Sequence, residues 1–269
     1  MKLKPLLLIN LLLLIFSCSN ESLNTDDGEG ENQDDVLIKQ INYSIVDEDV
    51  EFTIAFNYND TNLTSIIDSA SDLSGDYSAT FEYANNNLVR VNFLDDTDLE
   101  EYVILTYNSE GLLTEFTNYL FDIDGENIAI KHMLTYDENN SNVSLELFRG
   151  DFSSQTENIG ITNYTITNGN ITEISHNSGD TVSFQYDSKN SAYKNIYSIN
   201  TIALIMNESE NGFEMIFGSG NNVTQKIDDQ GDFVDTETTS YTYNSDDYPN
   251  TAMYFYDGEL DSNIEFIYE

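Results

Sequence analysis

Two histidines, His132 and His176, are the only imidazoles in the chain. They lie too far apart in sequence to pair locally, and a zinc site would need more nitrogen or sulfur ligands at recognisable spacing. His132 shares one strand face with Ile128, Ile130, Leu134 and Tyr136, while Lys131 points the other way, so it is expected as a satisfied interior or rim residue. His176 precedes the turn Asn177-Ser178-Gly179-Asp180 and is expected to be exposed. No Gly-x-Ser-x-Gly occurs, which leaves a serine triad without its nucleophile elbow. Carboxylates are too numerous, at 49, to single out a general acid and base, because only a measured separation defines such a pair. The run Asp122-Ile123-Asp124-Gly125-Glu126-Asn127 opens like a calcium loop but lacks the third oxygen position and terminal glutamate of an EF-hand. It reads better as a tight Asp-Gly hairpin turn. The doublets Asp95-Asp96, Asp228-Asp229 and Asp246-Asp247 are also turn residues, and such an anionic surface is expected to bind calcium weakly and collectively. The expectation is therefore a non-enzymatic protein with no catalytic residue, no cofactor-binding residue and no metal ligand.

Cys18 is the one cysteine. Lys2 and Lys4 precede an apolar run from Leu6 to Phe16, broken only by Asn10. As helix that run rises about 17 Å, too short for a hydrocarbon core of about 30 Å. A basic start, a short apolar centre and small residues after it describe a secretory signal. Leu14-Ile15-Phe16-Ser17-Cys18 resembles the bacterial lipobox, in which the cysteine is lipidated and becomes the new N-terminus. The chain then divides into a lipoprotein signal peptide (1–17), a lipidated Cys18 with an acidic tether (18–35), and one folded domain (36–269). With Cys18 acylated the mature chain has no thiol left for a disulfide, a metal or catalysis.

Ser19 to Asp35 contains Leu23 as its sole apolar residue and cannot bury a core. As a flexible coil it spans about 20–25 Å, so the folded part is held near a membrane without lying on it. Asp26, Asp27 and Glu29 resemble, several residues late, the acidic signal associated with surface export of Bacteroidetes lipoproteins. The expected location is the outer membrane, lipid-anchored, on its periplasmic or cell-surface face. The net charge of −40 becomes more negative once Lys2 and Lys4 leave with the signal. Such a surface repels phosphate backbones, which excludes nucleic acid as a partner.

Those features need a scaffold, and period two dominates from Val36 onward. Val50, Phe52, Ile54, Phe56 and Tyr58 alternate with Glu51, Thr53, Ala55 and Asn57; Val182, Phe184 and Tyr186 alternate with Thr181, Ser183 and Gln185. Half-buried antiparallel strands look like this. Asn, Asp and Gly fill the gaps between them, and only Pro249 interrupts the mature chain. A phrase typified by Leu105–Phe116 (strand, Asn-Ser-Glu-Gly turn, strand) recurs about every 26 residues. The residues just before each polar turn align as Tyr58, Tyr83, Tyr107, Tyr136, Ile166, Tyr186, Phe217, Tyr243 and Tyr268. The fold expected is an all-β antiparallel meander of repeated hairpins, about sixteen strands in a large curved or partly closed sheet. Tyr193, Ile196, Tyr197 and Ile202 to Met206 break the alternation, and both a short helix near 193–206 plugging the sheet and a fully buried strand fit them. Tyr102, Tyr107, Tyr119, Tyr241, Tyr243, Tyr254 and Tyr256 are candidates for aromatic ladders, as cross-strand pairs or as a platform for sugar rings.

Phe184-x-Tyr186-Asp187-x-Lys189-Asn190 with Tyr193-Lys194-Asn195-Ile196-Tyr197, and the late Tyr241-Thr-Tyr-Asn-x-Asp-x-Tyr-Pro249, resemble uncharacterised Bacteroidetes lipoproteins. Those carry a domain of unknown function described as porin-like. The shorter phrase also resembles the YD repeats of bacterial surface and toxin proteins, without their Gly-Arg pair after the turn. The resemblance implies a large, strongly curved antiparallel sheet and no chemistry. Asp68-Ser69-Ala70 and Asp180-Thr181-Val182 resemble Bacteroidetes O-glycosylation acceptors. The functional expectation is a lipid-anchored cell-envelope binding or structural module held to the membrane through Cys18, its ligand a glycan or a protein. The alternatives are a glycan-binding or glycan-processing accessory of a polysaccharide uptake system, and a calcium-stabilised adhesion module.

Overall fold

The computed structural model describes residues 36–46, 51–70, 76–123, 125–211, 220–231 and 233–269. Cys18, the tether, Phe217 and Asp124 lie outside them. Sixteen strands run in chain order. The first eight are β1 (Ile38–Ile45), β2 (Glu51–Asn59), β3 (Asn62–Ala70), β4 (Tyr77–Ala84), β5 (Asn87–Asp95), β6 (Asp98–Tyr107), β7 (Leu113–Ile123) and β8 (Glu126–Tyr136). Next come β9 (Asn142–Asp151), β10 (Ser154–Thr167), β11 (Asn170–His176) and β12 (Thr181–Tyr186), then a helix, α1 (Ile199–Glu208). The last four are β13 (Val223–Asp229), β14 (Val234–Tyr243), β15 (Pro249–Tyr256) and β16 (Glu259–Tyr268).

Each strand pairs antiparallel with its sequence neighbours, and β1 pairs with β16, so the meander closes into a barrel. The antiparallel meander with one short helix matches the sequence expectation; the curved or partly closed sheet does not. Closure puts Ile41 opposite Phe266 and Tyr43 opposite Ile264, joining the apolar faces of the first and last strands. It also removes the two open edges that a partly closed sheet would leave for aggregation.

Turn chemistry sets the hairpins. Asn85-Asn86 (φ 52, 64), Asn168-Gly169 (φ 50, 83) and Asp257-Gly258 (φ 48, 83) all hold the left-handed pairs that two-residue hairpins require. Eight of the nine aligned positions from Tyr58 to Tyr268 fall at or near the end of an even-numbered strand, which makes eight two-strand units. The ninth, Phe217, lies outside the described residues.

Over most of the wall the side chains alternate with one sign; the exception is an aromatic patch on the outside, where Tyr102, Tyr119, Phe121 and Phe152 meet ring to ring. Facing inward are Ile41, Ile54, Phe56, Leu63, Ile66, Ala79, Phe81, Val91, Phe93, Val103, Leu105, Phe116, Val143, Leu145, Tyr164, Ile174, Val182 and Phe184, a single buried core. The register sets Thr53, Ser65, Thr80, Asn92, Thr106, Glu115, Ser144, Asn163, Ser240, Thr242, Asn263 and Glu265 on the outside. A membrane barrel has an outward apolar band and a polar interior. Here the polarity is reversed.

The link between β12 and β13 supplies α1. Ile202, Ala203, Leu204, Ile205 and Met206 are consecutive and all buried. Five successive residues at 3.6 per turn cover the whole circumference of a helix, so α1 is enclosed on every side. It occupies the lumen and packs in the same cluster as the inward strand residues. The alternative of a buried strand at Tyr193–Met206 is thus set aside, and the helix begins later than 193, after Ser198 takes a left-handed conformation (φ 59).

Candidate functional site

Even-numbered strands end, odd-numbered strands begin, and both chain ends of the domain sit at one rim of the barrel, called here the entry rim. Tyrosines near the ends of even strands tie this rim together. Their hydroxyls donate to main-chain carbonyls at the start of the preceding strand: Tyr58 to Ile38 (2.7 Å), Tyr107 to Leu88 (2.8 Å), Tyr136 to Leu113 (2.8 Å), Tyr241 to Val223 (2.9 Å) and Tyr268 to Pro249 (2.8 Å). Burial pushes the pKa of every one of these phenols up, so each stays a donor.

The plug enters through this rim and is pinned to it. Asp187, at its root, accepts from Lys189 N (2.9 Å), Asn222 N (3.1 Å), Asn222 Nδ2 (3.1 Å) and the Tyr243 hydroxyl. Asn190 N donates to Asp247 O (3.0 Å), and Asn195 Nδ2 donates to Val36 O (3.0 Å) and Tyr248 Oη (2.9 Å). Tyr197 donates through its amide to Thr61 O (3.0 Å) and through its hydroxyl to Asn86 O.

At the other end of α1 the apolar lumen gives way to a buried polar cluster. Glu101 on β6 is fully buried and accepts from Asn118 Nδ2 (2.8 Å), Asn211 N (3.0 Å) and Asn211 Nδ2 (3.2 Å). Asn118 on β7 also donates to Glu208 O (3.0 Å) and Ser209 Oγ (3.1 Å) at the helix end. Glu208 accepts from the Tyr164 hydroxyl, and its Oε2 lies 3.5 Å from His132 Nδ1. The Tyr77 hydroxyl donates to Asn211 O (2.8 Å). Burial raises Glu101 to about 7 against the pull of its N–H donors, raises Glu208, and lowers His132 to about 3. His132 stacks on Phe116 (4.2 Å between centroids), and neither ring nitrogen has a hydrogen bond of normal length. A second inward pair, Lys226 and Glu237, forms a buried ion bridge of 2.7 Å between β13 and β14.

On the outer face, β14, β15, β16, β1 and β2 form a trough of about 950 Å³. Two cross-strand rows line it: Thr53, Asn42, Glu265, Thr251 and Thr242, and beside them Glu51, Ser44, Asn263, Met253 and Ser240. Hydroxyls and amides there suit a hydroxyl-rich ligand, and the two carboxylates disfavour an anion.

The sequence candidates separate as follows. His132 is interior (1% exposed) but poorly satisfied, and His176 is exposed beside its turn, its Nδ1 3.2 Å from Thr162 Oγ1. Of the candidate aromatic ladder, Tyr107, Tyr241 and Tyr254 face the core, while Tyr102 and Tyr119 stack on the outside at 4.6 Å. One face of Tyr102 is taken by Tyr119, and Arg90 lies 4.3 Å from the ring centroid, so the pair offers no open platform. Sequence reasoning missed Glu101, Asn118 and Glu208. Parity was the available signal: Glu101 shares a face with Val103 and Leu105, and Asn118 with Phe116 and Leu120, where a polar residue breaks an inward apolar row. Among the described residues no group of three or more His, Cys, Asp or Glu is placed to hold a metal ion.

Neither a family model nor a curated protein sequence matches the chain. Solved structures do. A porin-like protein from Bacteroides uniformis ATCC 8492 is 14% identical with a TM-score of 0.52, covering 86% of this chain and 96% of that one. A porin-like protein from Bacteroides vulgatus ATCC 8482 is 10% identical with a TM-score of 0.54, covering 87% and 99%. At these identities the likeness is one of fold. It supports the porin-like part of the resemblance drawn from the sequence, while kinship with lipoproteins and YD-repeat proteins rests on the sequence phrases alone.

Proposed function

We propose that the chain is a lipid-anchored protein of the outer membrane acting as a non-enzymatic binding or structural module, despite its likeness to porin-like folds. The supporting observation is the reversed polarity of the barrel: hydroxyls, amides and carboxylates face outward, and the lumen is packed around α1. A barrel built this way is stable in water, and its outward aromatic patch around Tyr102, Tyr119 and Phe152 covers only a sector of the wall, not the apolar band that a membrane span needs. The lipid on Cys18 provides the attachment, and Val36 leaves from the entry rim, which therefore faces the membrane. The test has two arms. Cys18→Ala should move the protein from the membrane to the soluble fraction, and the purified domain should leave planar bilayers non-conducting. Retention in membranes after the substitution would remove the anchor from the proposal, and discrete conductance steps would remove the water-facing barrel.

The outer trough favours a second reading, a glycan-binding accessory role. Its hydroxyl and amide rows would hydrogen-bond a neutral oligosaccharide laid across the strands, and calorimetric titration with neutral and acidic oligosaccharides separates this reading from the first.

A further inference from the structure

The deep end of the plug sets two carboxyl groups in an apolar lumen with no cation beside them. Glu101 on β6 is faced by Asn118 from β7, by Ser209 and Asn211 from the plug, and by Tyr77 from β4. Glu208 at the end of α1 is faced by Tyr164 from β10 and His132 from β8. Tyr77, Tyr164 and His132 are the titratable groups among these neighbours, and among the described residues neither carboxylate has a lysine or arginine against it. Lys226, the buried cation of the lumen, is taken by Glu237. Beside each carboxylate lies a buried acceptor with no partner. Asn118 Oδ1 has none while its own Nδ2 meets Glu101, and His132 Nδ1 faces Glu208 Oε2. His132 Nδ1, on a neutral ring, is positioned to accept from a carboxylic O–H on Glu208. The orphan nitrogen of His132 is what a protonated Glu208 needs and an ionised one cannot use.

We propose that this cluster is a proton-operated latch: with Glu101 and Glu208 protonated, Ile199–Asn211 stays seated in the lumen, and their ionisation unseats it. The entry-rim bonds are independent of the cluster, so the segment stays attached at its root while its deep end lets go. Glu101 is raised to about 7 and Glu208 is raised, both above their unfolded value of 4.5. A carboxyl whose folded pKa is raised holds its proton better in the folded state. Its contribution is therefore complete below 4.5 and is lost as pH climbs through about 7. His132 acts in the opposite sense. Held at about 3 against 6.5 unfolded, it costs stability as pH falls below 6.5 and is silent above. The window from 6.5 to 8.5 consequently reports the carboxyls alone.

Hydrogen exchange of the full domain, corrected for the intrinsic pH effect, tests this. Protection of the amides of α1 should fall by about fourfold or more between pH 6.5 and 8.5, the tail of a loss that begins above pH 4.5, while β-strand amides hold theirs. In Glu101→Gln/Glu208→Gln the α1 protection should not change with pH. Infrared difference spectra of the unmutated protein over the same range should show a carboxylic C=O band disappearing, which keeps the test alive if the double variant fails to fold. Constant α1 protection, strand and helix amides loosening together, or absence of that band would each overturn the latch.

Discussion

Tyrosine does two jobs in this molecule, and both follow from a large apolar ring that ends in a hydroxyl. The ring fills the inward side of a strand end, and the hydroxyl reaches the carbonyl that opens the preceding strand. Five tyrosines repeat that contact. Tyr83 and Tyr186 stand at equivalent positions with unpartnered hydroxyls; Tyr83 packs against Tyr197 of the plug (6.3 Å between centroids), and Tyr186 closes the strand from which the plug departs. Tyr136→Phe removes one clamp, keeps the ring and orphans the Leu113 carbonyl. It should lower stability by about 1–3 kcal/mol in a denaturant titration, with the slope of the transition unchanged. The strand face of each of these tyrosines was legible from alternation, as was the interior position of His132. The hydroxyl's acceptor was not, because it lies on another strand in a register that only the folded sheet defines.

Among the elements, hairpins were the most legible, since Asn and Gly announce their turns and period two runs along each strand, slipping only at a bulge beside most turns. The plug was half legible. Its apolar density marked Tyr193–Met206 as exceptional, but a continuous apolar run suits a buried helix and a buried strand alike. The helix that formed, Ile199–Glu208, is buried on all faces and so lacks the polar stripe that marks a surface helix. No side chain caps its first turn, and the bonds holding it come from the surrounding strands. Leu204 is fully buried at its centre. Leu204→Ala should cost about 2–5 kcal/mol, read as a lowered midpoint in thermal or denaturant unfolding. The deep carboxyls were the least visible part of the candidate site: Glu101 breaks an apolar parity row, but its partners Asn118, Glu208 and Asn211 are distant in sequence and meet it only once the lumen is filled.

At the scale of the whole molecule, the charge of −40 and the closed wall oppose each other. Carboxylates crowd the outer face and both rims, and their mutual repulsion favours the expanded chain. Screening at physiological salt acts over about 8 Å, so added sodium chloride should raise the thermal midpoint, steeply at first and then less, without specific demand for a divalent ion. A midpoint indifferent to salt would mean that the strand ladders and core hold the barrel with no measurable electrostatic opposition. Closure itself had no signature in the sequence. Nothing local to β1 indicates that its second neighbour is β16, since the pairing depends on total strand number, tilt and stagger.

That closing pair has a consequence for the order of events when the protein is made. β1 emerges first from any machinery that delivers the chain N-terminus first, and its outer partner emerges last. Until β16 arrives, the growing meander carries one permanent open edge at β1 and a moving one at its latest strand, both lined with unpaired amides and carbonyls. The lumen cannot be sealed before β13, because the plug precedes it. Maturation is therefore a race between the final hairpin and any competing edge. The near-absence of proline and the carboxylates along the outer strands both bear on that race, since strands without proline speed ladder formation while like charges keep two half-made sheets apart.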